Sequence, residues 1–308
     1  MNLIRVMPAE GVKLTRRCLT IATSDSGGGA GVQADLKAFA ARGCHGMSAL
    51  VALTAQNTVG VTAIHELPPE FVTAQLEAVF DDIGVDAAKT GMLFSRELIE
   101  TVAGFLEEHP VPLVVDPVMV ASSGARLLEE DAVETLVERL FALATVVTPN
   151  LAEAAALTES KQQTVTRSDA SRTADAAHGS AVSAKQQTVT KSALAERIHA
   201  LGAPAVVVTG GHGEPVDHLF DGERHVEIEV PRHDVAATHG AGCTHSATLA
   251  AELAKGASLE QAARTAAEVA SAAVANGLAE LGAGDGPVDV MNLEETRERD
   301  PVEALHRR

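Results

Sequence analysis

The chain has 308 residues and a formal net charge of −18, because 42 Asp and Glu residues outnumber 24 Lys and Arg residues. A surface this acidic repels nucleic-acid phosphates and anionic lipids, which excludes general binding to nucleic acids or membranes. Hydrophobic residues make up 46% of the sequence, too high a fraction for a disordered chain. The length allows two domains, but it fits one large α/β domain equally well.

The basic residues are unevenly divided, with 7 Lys and 17 Arg. A large acid excess with few lysines is typical of proteins that work in concentrated salt, where ions screen the self-repulsion of the surface. We therefore predict a halophilic-type acidic protein. An ordinary acidic cytosolic protein is the alternative.

The cysteines, Cys18, Cys44 and Cys243, are odd in number, widely spaced and without a C-x-x-C pair. This pattern indicates a reducing compartment rather than a disulfide framework. The first residues carry charges between short apolar pieces, and no uncharged apolar run reaches the length of a membrane span. We therefore expect a cytoplasmic protein with no membrane partner.

Short apolar runs alternate with helical patterns along the chain, which is typical of repeated βα units. Strands are expected at 18–23, 47–53, 113–115, 145–148 and 205–209, and helices at about 31–41, 71–83, 98–106, 133–141 and 246–255. This order predicts an α/β fold with a mostly parallel central sheet. The segment 219–230 predicts an antiparallel hairpin that turns at Asp221-Gly222. Ser258 and Gln261 predict a capping box at the start of the last helix.

A duplicated segment interrupts this order. KQQTVTRS at 161–168 returns as KQQTVTKS at 185–192, and the sequence between is rich in Ser, Ala, Thr and Asp. Such a stretch has too few large apolar side chains to offset its ordering entropy. We expect 159–190 to be a duplicated, low-complexity surface insertion within a single domain over 1–308. A pair of short helices is the alternative.

The first glycine-rich turn, SDSGGGAG at 24–31, follows the first expected strand. Residues 29–34 match G-x-G-x-x-A, the fingerprint of a dinucleotide site, which also needs an acid about 20 residues later. No Asp or Glu stands between Asp35 and Glu66, so the sequence disfavours a dinucleotide-dependent oxidoreductase. The chain also lacks the Walker-type phosphate-binding motif.

The second glycine-rich turn is THGAGCT at 238–244. Its glycines let the backbone N–H groups of Gly240, Ala241 and Gly242 converge at a helix N-terminus, an anion hole suited to a transferred phosphoryl group. Cys243 follows at the helix start, where we expect the dipole to lower the pKa of its thiol. The thiol could then accept a proton from an attacking hydroxyl. A buried cysteine on a tight turn is an equal alternative.

Two histidines, His239 and His245, flank that cysteine. Their spacing matches no common zinc pattern, and no second pair of ligands is apparent in the sequence. We therefore expect both histidines on the surface or supporting the site, rather than binding a metal.

The two turns and five further segments resemble the hydroxymethylpyrimidine/phosphomethylpyrimidine kinases of thiamine biosynthesis, members of the ribokinase superfamily. The matching segments are SDSGGGAGVQADLKAF at 24–39, LTAQNTVGV at 53–61, KTGML at 89–93, VDPVM at 115–119, TPNLAEAAAL at 148–157, GGH at 210–212 and THGAGCT at 238–244. The resemblance implies a ribokinase-like three-layer α/β fold with helices on both faces of the sheet. It also implies an ATP- and Mg²⁺-dependent kinase that phosphorylates 4-amino-5-hydroxymethyl-2-methylpyrimidine and then its monophosphate.

Two other functions stay open beside this one. A pyridoxal or pyridoxine kinase shares the fold, and a non-catalytic ligand-sensing module could be built on it. The partners implied by the resemblance are the small pyrimidine and ATP, and a homodimer is left open.

The resemblance assigns roles to individual residues. Gln56 would bind the pyrimidine edge, because an amide offers a donor and an acceptor together. The same pocket would be lined by Ala30, Asp35, Thr54, Met92 and Val118. Cys243 stands where sugar kinases usually have an Asp base.

On the nucleotide side, Asn150 and Glu153 form the N-x-x-E pattern of the superfamily. Glu153, with Asp116 as helper, would hold Mg²⁺ and its waters near the ATP phosphates. Thr209 and Gly211 would contact the nucleotide.

The sequence departs from the family pattern at four positions. Thr23 replaces a usual Gly, Gly27 a Ser, Thr209 a Lys and His245 an apolar residue. The change at Thr209 removes a possible contact with ATP phosphate, so it affects the expected nucleotide contacts more than the pyrimidine pocket.

Overall fold

The computed structural model describes residues 15–119, 128, 130–159, 190–210, 215–231 and 233–293. The insertion expected over 159–190 therefore lies outside the described residues except at its two ends. Glu159 is the last described residue of one helix, and Thr190 caps the next by accepting a hydrogen bond from the N–H of Ala193. Gly211 also lies outside the described residues.

Within the described residues, nine strands form one sheet in the order β3-β2-β1-β4-β5-β6-β7-β8-β9. The strands are β1 (Arg17–Asp25), β2 (His45–Gln56), β3 (Val61–Glu66), β4 (Ala87–Thr90), β5 (Leu113–Val115), β6 (Val146–Val147), β7 (Val206–Val208), β8 (Val216–Phe220) and β9 (His225–Glu229). The strands from β2 to β7 in that order run parallel, whereas β3, β8 and β9 are antiparallel to their neighbours. The mostly parallel sheet and the hairpin at 219–230 are thus confirmed.

Helices cover both faces of the sheet. They are α1 (Gly31–Ala41), α2 (Pro69–Ala78), α3 (Arg96–Glu108), α4 (Glu130–Leu140), α5 (151–159), α6 (Lys191–His199), α7 (Ala241–Ala254) and α8 (Leu259–Ala275). A π-helical turn, Val79–Ile83, extends α2, and a short 3₁₀ turn, Phe141–Leu143, follows α4. Among these described helices, none is long and apolar enough to cross a membrane.

Apolar side chains of the strands alternate between the two faces, as the pleat of a strand requires. On β5 and β6, Val115 and Val147 pack into one core, while Val114 and Val146 pack into the other. Helices α2 to α6 contribute to the first core, and α1, α7 and α8 contribute to the second. The expected three-layer α/β fold is therefore confirmed.

Helix α7 begins earlier than expected, at Ala241 rather than near residue 246. The residue before it, Gly240, has a φ of 85°, a left-handed conformation that glycine adopts without steric cost. The chain therefore enters the helix directly from the second glycine turn, and Cys243 lies in the first helical turn.

Two strands have no clear signal in the sequence. Strand β4 carries Lys89, a residue that is seldom buried, and β3 is an edge strand whose side chains are mostly exposed. Both strands matter for the site, because β4 ends beside β1 and β5, and β3 closes a hairpin with β2. The loops that follow the parallel strands meet at one edge of the sheet, where ligands of α/β proteins usually bind.

Candidate active site

Asp25, the last residue of β1, organises the first glycine turn. One carboxylate oxygen, Oδ1, accepts a hydrogen bond of 2.8 Å from the N–H of Gly27. The other, Oδ2, accepts bonds from the N–H groups of Gly29 and Ala30 at 3.1 and 2.8 Å. Nε2 of His239, in the second turn, lies 3.1 Å from the same Oδ2. One buried carboxylate therefore joins the two turns.

The charge of Asp25 is favoured by these contacts. Burial alone would raise the pKa of the carboxyl, but the hydrogen bonds from His239, Ala30 and Gly27 outweigh it, and the pKa lies below its ordinary value. His239 is itself buried, which leaves the supporting role as the one of the two expected alternatives that stays a prediction.

The two glycine turns touch through their backbones. A Cβ atom added at Gly240 would overlap the carbonyl oxygen of Gly29, and one added at Gly29 would overlap the ring of His239. Gly31 has a φ of 58°, and its Cβ would overlap the carbonyl oxygen of Thr23. The glycine spacing that resembles a dinucleotide fingerprint is thus explained by packing, and the N-termini of α1 and α7 are brought together.

Cys243 lies at this junction, with a partly exposed residue surface. Burial of the sulfur and the charges of Asp35 and Asp116 raise the pKa of the thiol to about 12, although Lys89 and the backbone N–H of Gly31 act in the opposite direction. The expectation of a lowered pKa is therefore wrong. The helix dipole is a local effect, whereas the neighbouring carboxylates come from other elements.

A cluster of buried charged side chains lies close to Cys243. Lys89 has no exposed surface, and its Nζ lies 2.9 Å from Oδ1 of Asp35 and 3.5 Å from Oδ2 of Asp116. Thr20 donates a further bond of 2.6 Å to Asp35, and Ser246 of α7 donates one of 2.8 Å to Asp116. Burial opposes the charge of Lys89, but the two carboxylates outweigh it and raise its pKa. This cluster ties β1, β4, α1 and α7 together.

The sequence pattern assigns no role to Lys89, although the KTGML segment that contains it matches the family. The available signal was a single lysine in an apolar run, since a buried lysine needs a charged partner. Asp35, expected to line the pyrimidine pocket, has no exposed surface, because its carboxylate faces Lys89 and Thr20. Its contact with a substrate stays a prediction.

Glu153 and Asn150 cap the start of α5. The N–H of Asn150 donates to Oε2 of Glu153, and the N–H of Glu153 donates to Oδ1 of Asn150, both at 2.9 Å. Burial and the nearby charge of Asp116 raise the pKa of Glu153 to about 8. Thr209 follows β7 beside this cap, pairs with Asn150 in an isolated bridge and donates its N–H to the carbonyl of Pro149 at 3.0 Å.

Two of the residues expected at the pyrimidine pocket, Gln56 and Thr54, contact the first glycine turn. The hydroxyl of Ser26 bonds both the N–H and the carbonyl of Gln56, at 2.8 and 2.7 Å. Thr54 contacts Oε1 of Gln56 at 3.1 Å and the carbonyl of Ser24 at 2.9 Å. Met92 follows β4 and is buried, whereas Ala30 and Val118 are partly buried.

Comparison with known proteins identifies the family. The sequence profile described as Phosphomethylpyrimidine kinase matches residues 25–185 and 177–289. The chain belongs to the phosphomethylpyrimidine kinase family. It is accordingly a phosphotransferase, as the resemblance implies.

Curated relatives of this kinase are named as kinases or bifunctional proteins of thiamine biosynthesis. It is 45% identical over 279 residues to the hydroxymethylpyrimidine/phosphomethylpyrimidine kinase of Rhizobium meliloti. This alignment covers 89% of this chain and 97% of that protein. It is 46% identical over 287 residues to the thiamine biosynthesis bifunctional protein ThiED of Geobacter sulfurreducens, covering 91% of this chain. The chain spans only 54% of that bifunctional protein.

Solved structures support the ribokinase-like fold. An ADP complex of Bacillus subtilis pyridoxal kinase aligns with a TM-score of 0.73 at 37% identity, covering 90% of this chain and 97% of that one. The phosphomethylpyrimidine kinase of Clostridium difficile aligns with a TM-score of 0.64 at 35% identity, covering 82% and 96%.

Asp25→Asn tests the carboxylate that joins the two turns. An amide has one acceptor oxygen, so several buried donors lose their partner, and we expect the free energy of unfolding to fall by about 2 kcal/mol. Urea denaturation at neutral pH measures the change. The exposed Asp82→Asn is the matched control and should change stability by less than about 0.5 kcal/mol.

The pH dependence of the same variant gives a second readout. Because the folded protein lowers the pKa of Asp25, its contribution to stability is present above about pH 4 and is lost as the pH falls through the folded pKa. The difference between wild type and Asp25→Asn should therefore shrink in acid. A difference that is absent at neutral pH or grows in acid would contradict this role.

Proposed function

We propose that this kinase transfers the γ-phosphoryl group of ATP to 4-amino-5-hydroxymethyl-2-methylpyrimidine and then phosphorylates the monophosphate to the diphosphate, for thiamine biosynthesis. The contact between Gly29 and Gly240 carries the proposal, because it sets the turn with the pyrimidine candidates against a turn suited to a phosphoryl group. Several curated relatives named hydroxymethylpyrimidine/phosphomethylpyrimidine kinase support the same two steps.

Gln56 is our candidate for recognising the pyrimidine. Its backbone is held on both sides by Ser26, and its side chain is adjacent to Thr54, so the amide is fixed at the end of β2. An amide pairs naturally with a ring nitrogen and an exocyclic amino group, which need one donor and one acceptor. The rest of the proposed pocket consists of Ala30, Asp35, Thr54, Met92 and Val118.

The phosphoryl group is proposed to lie at the N-terminus of α7. The first backbone N–H groups of a helix have no partner within it, and the helix dipole favours negative charge there. The proposed anion hole consists of Gly240, Ala241, Gly242 and Cys243, which follow one another at this end of the helix, although the N–H of Ala241 donates to the carbonyl of Thr238 at 3.2 Å.

Glu153 and Asp116 are proposed to hold Mg²⁺ through its waters. Both carboxylates are buried, and the charge of Asp116 contributes to the raised pKa of Glu153, so a cation between them would relieve unfavourable charge. In the described part of the chain, no group of three or more His, Cys, Asp and Glu is placed to enclose a metal, so phosphate oxygens and waters would complete the shell. When bound, Mg²⁺ would neutralise charge on the transferred phosphoryl group.

The nucleotide side is proposed to include Asn150, Glu153, Thr209 and Gly211. Thr209 lies beside Asn150, which places the end of β7 next to the proposed Mg²⁺ carboxylate. ATP as co-substrate is supported by a solved complex of Staphylococcus aureus pyridoxal kinase with AMP-PCP and pyridoxal.

The first phosphorylation needs a base for the proton of the attacking hydroxyl, and Cys243 is our candidate. With a pKa of about 12, the thiol keeps its own proton at neutral pH. A Mg²⁺ ion held near Asp116 would offset the charge of this carboxylate and so remove one cause of the high thiol pKa. The ammonium of Lys89 would stabilise the thiolate. We therefore propose that Cys243 becomes a competent base when the site is loaded.

Cys243→Ala should separate the two steps. The second step attacks with a phosphate that is already ionised, so it needs a base less. We expect kcat of the first phosphorylation to fall about 100-fold and that of the second less than about 10-fold. Each step is assayed separately with its own purified substrate, and Cys44→Ala serves as a cysteine control. Equal losses in the two steps would remove the base assignment.

Pyridoxal phosphorylation is the second candidate function. The observation in its favour is that pyridoxal kinases align with higher TM-scores, up to 0.75, than the Clostridium difficile phosphomethylpyrimidine kinase at 0.64. Gln56 and Met92 favour the pyrimidine by resemblance.

Competition between the two substrates tests the proposed function. With equal concentrations of pyridoxal and the hydroxymethylpyrimidine, ATP and Mg²⁺, we expect the pyrimidine phosphates to be the main products by mass spectrometry. Pyridoxal phosphate as the main product would favour the second candidate. No release of ADP with either substrate would favour the non-catalytic module.

We further propose a cytoplasmic kinase adapted to concentrated salt that forms a homodimer. The three free cysteines support a cytoplasmic location, and the net charge of −18 supports adaptation to salt. Strand β3 forms the edge of the sheet in the described part of the chain, and the exposed Leu53 and Ile64 on the β2–β3 pair support the homodimer. Repeating the competition assay in rising KCl tests the adaptation: activity should increase into the molar range, and a maximum without added salt would contradict it.

A further inference from the structure

His245 lies on α7, two residues beyond Cys243, and is almost completely buried, with 4% of its surface exposed. Its Nε2 lies 3.4 Å from Oδ2 of Asp217 on β8, a buried residue whose side chain is 8% exposed. A buried carboxylate and a buried imidazole both lose hydration, so each needs a polar partner inside the protein. The pair therefore links the helix of the proposed anion hole to the antiparallel edge of the sheet.

The second oxygen of Asp217 points to the nucleotide side. Oδ1 accepts a bond of 2.7 Å from the N–H of Gly210, a buried contact. Gly210 directly follows Thr209, whose N–H donates to the carbonyl of Pro149 at 3.0 Å. Asp217 thus holds the N–H of Gly210, the residue that follows Thr209, which is proposed to contact ATP.

The contact between His245 and Asp217 is longer than a full hydrogen bond, and neither ring nitrogen of His245 has a hydrogen-bond partner among the described residues. Hydrogen bonds around catalytic sites are often long before the ligand binds and tighten in the complex. The geometry suits a contact that tightens when the nucleotide is bound.

We propose that His245 is a positioning residue for ATP, acting through Asp217 on the backbone at Gly210. This inference rests on the proposed kinase function and adds to it, because it connects the anion-hole helix with the nucleotide segment. His245 touches neither substrate in this account. It sets the orientation of Asp217, and Asp217 sets the direction of the Gly210 N–H group.

The test compares His245→Leu with His245→Gln. Leu removes the polar contact, whereas the amide of Gln can still donate to Asp217. We expect His245→Leu to raise KM for ATP about tenfold, with KM for the pyrimidine unchanged and kcat within about threefold. His245→Gln should restore most of the ATP affinity. His233→Leu, a histidine bonded to Ser271 instead, is the control and should leave ATP affinity unchanged.

Direct binding of a fluorescent ADP analogue separates this inference from the proposed function, since it needs no turnover. A chain that phosphorylates neither substrate but loses analogue affinity in His245→Leu would contradict only the proposed function. In a double-mutant cycle with Asp217→Asn, the double variant should bind the ADP analogue no more weakly than the weaker-binding of the two single variants, because both changes remove the same contact. Unchanged nucleotide affinity in His245→Leu, an equal loss in His245→Gln, or an equal rise in both KM values would overturn the proposal.

Discussion

The carbonyl oxygen of Gly29 occupies the space that any side chain at position 240 would need. This contact lets two helix N-termini, those of α1 and α7, approach each other, and Asp25 and His239 hold the same two turns from the side. The pyrimidine candidates belong to one turn and the proposed anion hole to the other. Without this close approach the two halves of the proposed reaction would be separated.

The buried charges of the site are distinct from the net charge of the whole chain. Two buried carboxylates, those of Asp35 and Asp116, lie within 3.5 Å of the buried ammonium of Lys89, and the charge of Asp116 also acts on the buried Glu153. The net charge of −18 therefore says little about the site. Backbone N–H groups and a metal ion, as proposed for this site, need no positive surface to bind phosphate.

Local patterns allowed much of the fold to be predicted from the sequence. Helix α1 has the expected bounds, and Ser258 and Gln261 form the expected capping box, because both depend on neighbours a few residues away. The Lys89 cluster could not be predicted in this way, since Asp35 is 54 residues distant in sequence. The pKa of Cys243 was predicted in the wrong direction for the same reason, as its neighbours come from separate elements.

The central claim is that the contact between the glycine turns creates the phosphoryl-transfer site. Gly240→Ala tests it most directly, with unfolding free energy and transfer of phosphate from ATP to the hydroxymethylpyrimidine measured on the same preparation. We expect the free energy of unfolding to fall by more than about 3 kcal/mol and nearly all phosphate transfer to be lost. The new Cβ would overlap the backbone of Gly29, and the φ of residue 240 is left-handed. Gly104→Ala, where the helix leaves open space, should keep both properties. A Gly240→Ala variant as stable and as active as the wild type would contradict the account.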